Sequence, residues 1–134
     1  MQFVAAYIGA ALAFLALDAL WLGVVAKDFY FSRLGALMRD KPDFGVAALF
    51  YSIYVAGILY FAIVPALAGG GWMRAALNGA LFGFLAYATY DLTNLATLRG
   101  YPADLAKVDI AWGTTLTAIA ATAGYWAARR VAGS

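Results

Sequence analysis

Four long apolar runs, Gln2 to Ala26, Val46 to Ala68, Ala75 to Leu98 and Val108 to Val131, leave this chain few ways to fold. Each meets the roughly 20 residues that a helix needs to cross the hydrocarbon of a bilayer. With 66% hydrophobic and 12% charged residues over 134 positions, too little polar surface remains to wrap a water-soluble core. In lipid every backbone amide must be paired within a helix or a closed barrel, and none of the runs alternates as a barrel strand does. The expected fold is all-α and integral to the membrane: one transmembrane domain over residues 1–134, four transmembrane helices in a compact bundle, spanning about 2–26, 46–68, 75–98 and 108–131. The first run contains Asp18, exceeds a signal-peptide core in length and has no basic stretch ahead of it, so it reads as a retained span.

The connections differ in character. After the first span, "KDFYFSRLGALMRDKPDF" repeats Tyr30, Phe31, Leu34, Leu37 and Met38 at helical spacing among basic residues. That pattern predicts an amphipathic helix on the membrane surface from Lys27 to Pro42, stopped by the proline, with Tyr30 and Leu34 covered and Ser32 and Arg33 exposed. "ALAGGGWMR" is a tight glycine turn with Trp72 and Arg74 as interfacial anchors. "RGYPADLAK" places Gly100 and Pro102 where a helix ends.

With four spans, the first and third connections share one side and carry Lys27, Arg33, Arg39, Lys41, Arg99 and Lys107, against Arg74, Arg129 and Arg130 on the other. The positive-inside rule puts the first set in the cytoplasm and both termini outside. The net charge of +2 comes from residues that flank spans, so membrane lipids are the expected contacts and nucleic acid is not. The chain has no cysteine and no histidine, so no histidine- or cysteine-ligated metal or haem is expected, and no cofactor is specified.

Three carboxylates fall inside or beside the spans: Asp18, Asp91 and Asp109. Four-span topology puts all three toward one membrane face, with Asp18 and Asp91 on the order of 12 Å below the ends of their helices. "DALW" from Asp18 to Trp21 and "DIAW" from Asp109 to Trp112 repeat one spacing, and residues three apart share a helix face. Tyr87, Asp91 and Asn94 form a polar stripe at i, i+4 and i+7. Gly79 with Gly83, and Gly113, Thr117, Ala120 and Gly124, give two helices narrow sides for close approach. Asp109 reads first as a helix N-cap, the tryptophans as interfacial belt, the glycine steps as packing, and Tyr51, Tyr54 and Tyr60 as core and belt together. Asp18 and Asp91 resist such readings, because a carboxylate at depth costs about 2.5 to 3.5 kcal/mol on insertion scales and usually faces a bundle interior or a water-filled cavity.

The segments "LDALWLG", "FYFSRLGAL", "ALFYSIYVAGILYF", "GALFGFLAYATYDLTNLATLRGYP" and "VDIAWG" together resemble the small bacterial membrane-protein family DUF2177, most specifically in "TYDLTN" followed by "DIAWG". The resemblance implies a compact multi-span protein of the bacterial inner membrane and brings no activity or catalytic residue with it.

The expected function is proton- or cation-linked binding or transport of a small or lipophilic ligand, in a pocket shared by Asp18 and Asp91. Trp21, Tyr87, Asn94 and Trp112 would line it, with Asp109 nearby, and at least one of the two deep carboxyls would hold its proton near neutral pH. The alternatives are a membrane enzyme acting on a lipid-like substrate, with one carboxylate as general acid/base, and an accessory subunit whose polar residues pair with the helices of a membrane protein partner.

Overall fold

A chain this apolar pairs its backbone within helices, and the computed structural model, which describes residues 1–133, is all-α, with no strand among those residues. Ser134, the last residue of the expected domain 1–134, lies outside the described residues. Helix α1 (Gln2–Leu20) runs on through a π-helical turn, Trp21–Val25, and the chain breaks at Ala26, whose φ of −114° and ψ of 13° leave the helical region. A short helix α2 (Lys27–Leu34) follows, then a 3-10 turn over Gly35–Leu37.

Helix α3 (Phe44–Ile58) begins at Asp43, whose carboxylate accepts the Val46 amide at 3.1 Å as an N-cap. It continues through a second π-helical turn, Leu59–Ile63, into α4 (Val64–Ala68). Pro65 has no N–H to give the Phe61 carbonyl four residues back. That carbonyl instead accepts Asn78 Nδ2 from the following helix at 3.2 Å. Gly70 and Gly71, at φ of 99° and 69°, turn the chain into α5 (Gly71–Thr97). Gly100, at φ of 70°, leads into α6 (Ala103–Gly133).

Two continuous helical stretches, Gln2–Val25 and Phe44–Ala68, are long and apolar enough to cross a membrane. Little of either is buried within the protein: Ile8, Leu12, Ile53 and Phe61 face outward, where water would penalise them and hydrocarbon would not. Both stretches therefore suit a hydrocarbon surround.

Helix α6 packs along α5 on one side and α1 on the other. These approaches are close because small residues line them. A Cβ on Gly79 would lie 2.8 Å from the Ala121 Cβ and 2.9 Å from the Thr117 carbonyl, and one on Gly83 would collide with the Gly113 carbonyl. Phe14, Ile58, Ile63 and Leu116 fill the core among these contacts. A buried hydroxyl pair there joins Tyr54 to Thr117 at 2.9 Å.

Three expectations are corrected. The helix after the first span ends at Gly35, not Pro42: Gly35 takes φ of 43°, which a side chain resists, and Leu37 beyond it is exposed. Within the helix that does form, Tyr30 is buried, Leu34 half-buried, and Ser32 and Arg33 exposed, as the spacing predicts. The last helix begins at Ala103, because Pro102 presets the backbone and the Asp104 carboxylate accepts the Leu105 amide at 2.8 Å. Asp109 consequently sits inside α6 and does not cap it.

Candidate functional site

The polar side chains of α1, α5 and α6 gather where α2 docks. At the end of α1, Asp18 is 7% exposed and accepts two hydrogen bonds, from the Tyr51 hydroxyl at 2.8 Å and from Trp112 Nε1 at 3.2 Å. The matching carboxylate on α6, Asp109, accepts the Tyr30 hydroxyl at 2.9 Å. That hydroxyl in turn accepts Trp21 Nε1 at 3.1 Å. The two D-x-x-W repeats are therefore crossed. Each tryptophan serves the aspartate of the other helix, Trp112 directly and Trp21 through Tyr30, and the two indoles stack at 4.4 Å with planes 10° apart.

Asp91 of α5 is fully buried. Its Oδ1 accepts the Tyr101 hydroxyl at 2.8 Å, while Oδ2 has no donor among the described protein groups. Asp109 is its neighbouring carboxyl. Asn94 stands beside the Tyr101 hydroxyl, and Tyr87 lays its ring over Gly113 and meets Tyr54 edge-on at 6.3 Å. Asp91 is thus brought to Asp109, and Asp18 has its own pair of donors.

A family model described as a predicted membrane protein, DUF2177, matches residues 3–126. The chain belongs to DUF2177. No curated protein and no solved structure matches it.

Two clefts reach this network in the DUF2177 chain. One of about 340 Å³ lies between α3, α5 and α6, lined by Phe50, Tyr54, Ala86, Tyr87, Tyr90 and Asp109. The other, about 470 Å³, lies between α1, α2 and α3 and takes in Asp18, Tyr30, Tyr51 and Lys27. The stacked indoles and Tyr30 link Asp18 of one cleft to Asp109 of the other. No three acidic groups come together as a metal-holding set among the described residues.

Outside the long helices, burial pushes the Tyr30 phenol well above its ordinary value, and the Asp109 carboxylate adds to this against the opposing Trp21 bond. Burial also raises the Tyr101 phenol, again with a carboxylate, Asp91, adding to the effect. Both phenols therefore stay protonated at neutral pH and keep donating. On the exposed edge, Arg33 bonds Asp104 at 2.8 Å, stacks over Phe29 at 3.8 Å, and holds the Asp104 carboxyl below its usual range.

Sequence reasoning singled out the carboxylates and tryptophans but missed three phenols that organise them. In the sequence Tyr30 shows only as a covered helix position and Tyr51 only as core and belt. Tyr101 carried one signal, its place directly after Gly100 at the end of the "TYDLTN" helix.

Proposed function

We propose that the chain crosses the bacterial inner membrane four times and binds or carries a small lipophilic ligand in exchange for a proton held between Asp91 and Asp109. The helix lengths support four crossings, since α5 and α6 have 27 and 31 residues and each can span about 30 Å of hydrocarbon. The excess of Lys and Arg beside the α2 and Gly100 connections supports a cytoplasmic side there, with both termini periplasmic.

The observation that carries the reading is the Asp91 Oδ2 oxygen, buried and without a donor beside a second carboxyl. Unpaired acceptors are costly in a low-dielectric interior, and adjacent carboxylates repel, so one proton shared across the pair satisfies both requirements. Asp18 has a separate part: with donors from Tyr51 and Trp112, it fixes α1 against α3 and α6. Carboxyl infrared titration tests this. A protonated carboxyl band is expected near neutral pH in the wild type, lost in both Asp91→Asn and Asp109→Asn and retained in Asp18→Asn. Ordinary exposed-acid titration in all four proteins would overturn the shared proton.

A further inference from the structure

We infer that the cleft in front of Asp109 is a binding site for a lipophilic organic cation, an ammonium or phosphonium carrying alkyl or aryl groups. The inference rests on the proton-linked reading above and names the ligand class.

The wall composition selects that chemistry. Four aromatic rings, Phe50, Tyr54, Tyr87 and Tyr90, line the cleft with Ala86, and Asp109 is its one ionisable carboxylate. Aromatic faces attract cations through the ring quadrupole, most strongly when water is excluded, and are the usual surroundings of quaternary ammonium groups. No lysine or arginine lines the cleft, so the Asp109 charge is not neutralised there. The α1–α2–α3 cleft differs in this respect, because Lys27 lines it together with Asp18.

A hard metal ion would need six or more oxygen ligands, and an apolar wall with one carboxylate does not supply them. An anion would meet Asp109 as a like charge. The volume of about 340 Å³ suits a small organic molecule. Phe50 and Tyr90 are 47% and 57% exposed at the rim, which gives a membrane-dissolved ligand a way in.

Behind Asp109 lies the buried, unpartnered Asp91 oxygen, which gives cation binding a proton to displace. With one proton the carboxyl pair carries a single negative charge. With the proton gone and a monovalent cation in the cleft, the net charge of the site is the same. The exchange therefore adds no net charge to a low-dielectric interior. The groups facing Asp109 are Tyr30 from α2 and Asp91 and Tyr87 from α5, with Asp18 and Tyr54 further along the network. Its phenols stay neutral donors, and the proton exchanged is the one on the carboxyl pair.

The test uses the purified full chain in detergent and tetraphenylphosphonium as the probe, with neutral triphenylphosphine oxide as the uncharged comparison, by calorimetry in buffers of different ionisation enthalpy. Tetraphenylphosphonium is expected to bind more tightly as pH rises and to release one proton per cation. Asp109→Asn, which can still accept the Tyr30 hydroxyl, should weaken binding on the order of tenfold or more. Tyr90→Leu, at the exposed rim and away from the core, should weaken it roughly threefold to tenfold. Equal binding of the phosphine oxide, or an Asp109→Asn affinity matching the wild type, overturns the cation site even if the infrared band identifies a shared proton. Cation binding without proton release leaves the site standing and overturns the shared proton instead.

Discussion

Helix α6 is held to its neighbours by opposite means at its two ends. From Gly113 to Gly124 it turns small side chains and bare backbone toward α5 and α1, so close that an added Cβ on Gly79, Gly83 or Gly124 would collide, and the Thr117 hydroxyl bonded to Tyr54 is the polar exception in that stretch. From Ala103 to Trp112 it presents Asp104, Asp109 and Trp112, each bonded to a side chain of another element. The small-residue seam depends on shape. It tolerates no added atom, and its contacts are indifferent to pH. The polar end depends on donors and acceptors. It tolerates substitutions that keep the shape, provided that they also keep the hydrogen bonding.

The sharpest way to break the comparison is to add atoms to the seam. Gly83→Val should destabilise the protein by about 3 kcal/mol, at the upper end for overpacking, because the Gly113 carbonyl and the Thr117 side chain have no room to retreat. Thermal unfolding in detergent measures this, and a wild-type melting temperature would mean that α5 and α6 do not meet there.

A smaller effect is expected at the polar end. Asp91→Leu leaves the half-buried Tyr101 hydroxyl without its acceptor and should cost about 1 kcal/mol or somewhat more, whereas Asp91→Asn keeps an acceptor oxygen and should fold nearly as well as the wild type. The same unfolding measurement decides it. Equal losses for both variants would make Asp91 a matter of volume, like the seam.

The smallest effect lies at the exposed Arg33–Asp104 pair. The Asp104 carboxyl is held below its unfolded value, so its contribution to stability is present above the unfolded value of about 3.9 and is lost as pH falls through the folded one. Arg33→Gln should therefore melt slightly below the wild type at about pH 7, and the gap should narrow in acid, as pH falls below the ordinary carboxylate value of about 3.9. A gap that stayed the same size in acid would remove the ion pair from the account.

What could be read from the sequence follows the same division. Helices and their small-residue sides were legible because apolar length and glycine spacing are local: Gly79, Gly83, Gly113 and Gly124 can be found by counting. The start of α6 was hidden because Ala103 to Lys107 is too polar to extend an apolar run. The partner of Asp91 was hidden for a different reason. Placing it beside Asp109, with Asp18 provided for elsewhere, depends on how each helix is rotated about its axis, and a single apolar stretch does not encode that. The D-x-x-W repeat was visible, but spacing along one helix says nothing of the crossing by which each indole serves the other helix's carboxylate. Tyr101 showed only by its place after Gly100, and its reach to Asp91 depends on the turn there, which spacing along a helix does not give.

The stacked pair of Trp21 and Trp112 also makes the protein its own optical gauge. Of the four tryptophans, these two stack with ring centres 4.4 Å apart, so their excited states couple, and any twist between their transition moments produces a paired circular-dichroism signal that isolated indoles lack. Any event that slides the end of α1 along α6, whether acidification or an occupant reaching Asp109, changes the amplitude of that signal without a dye or a label.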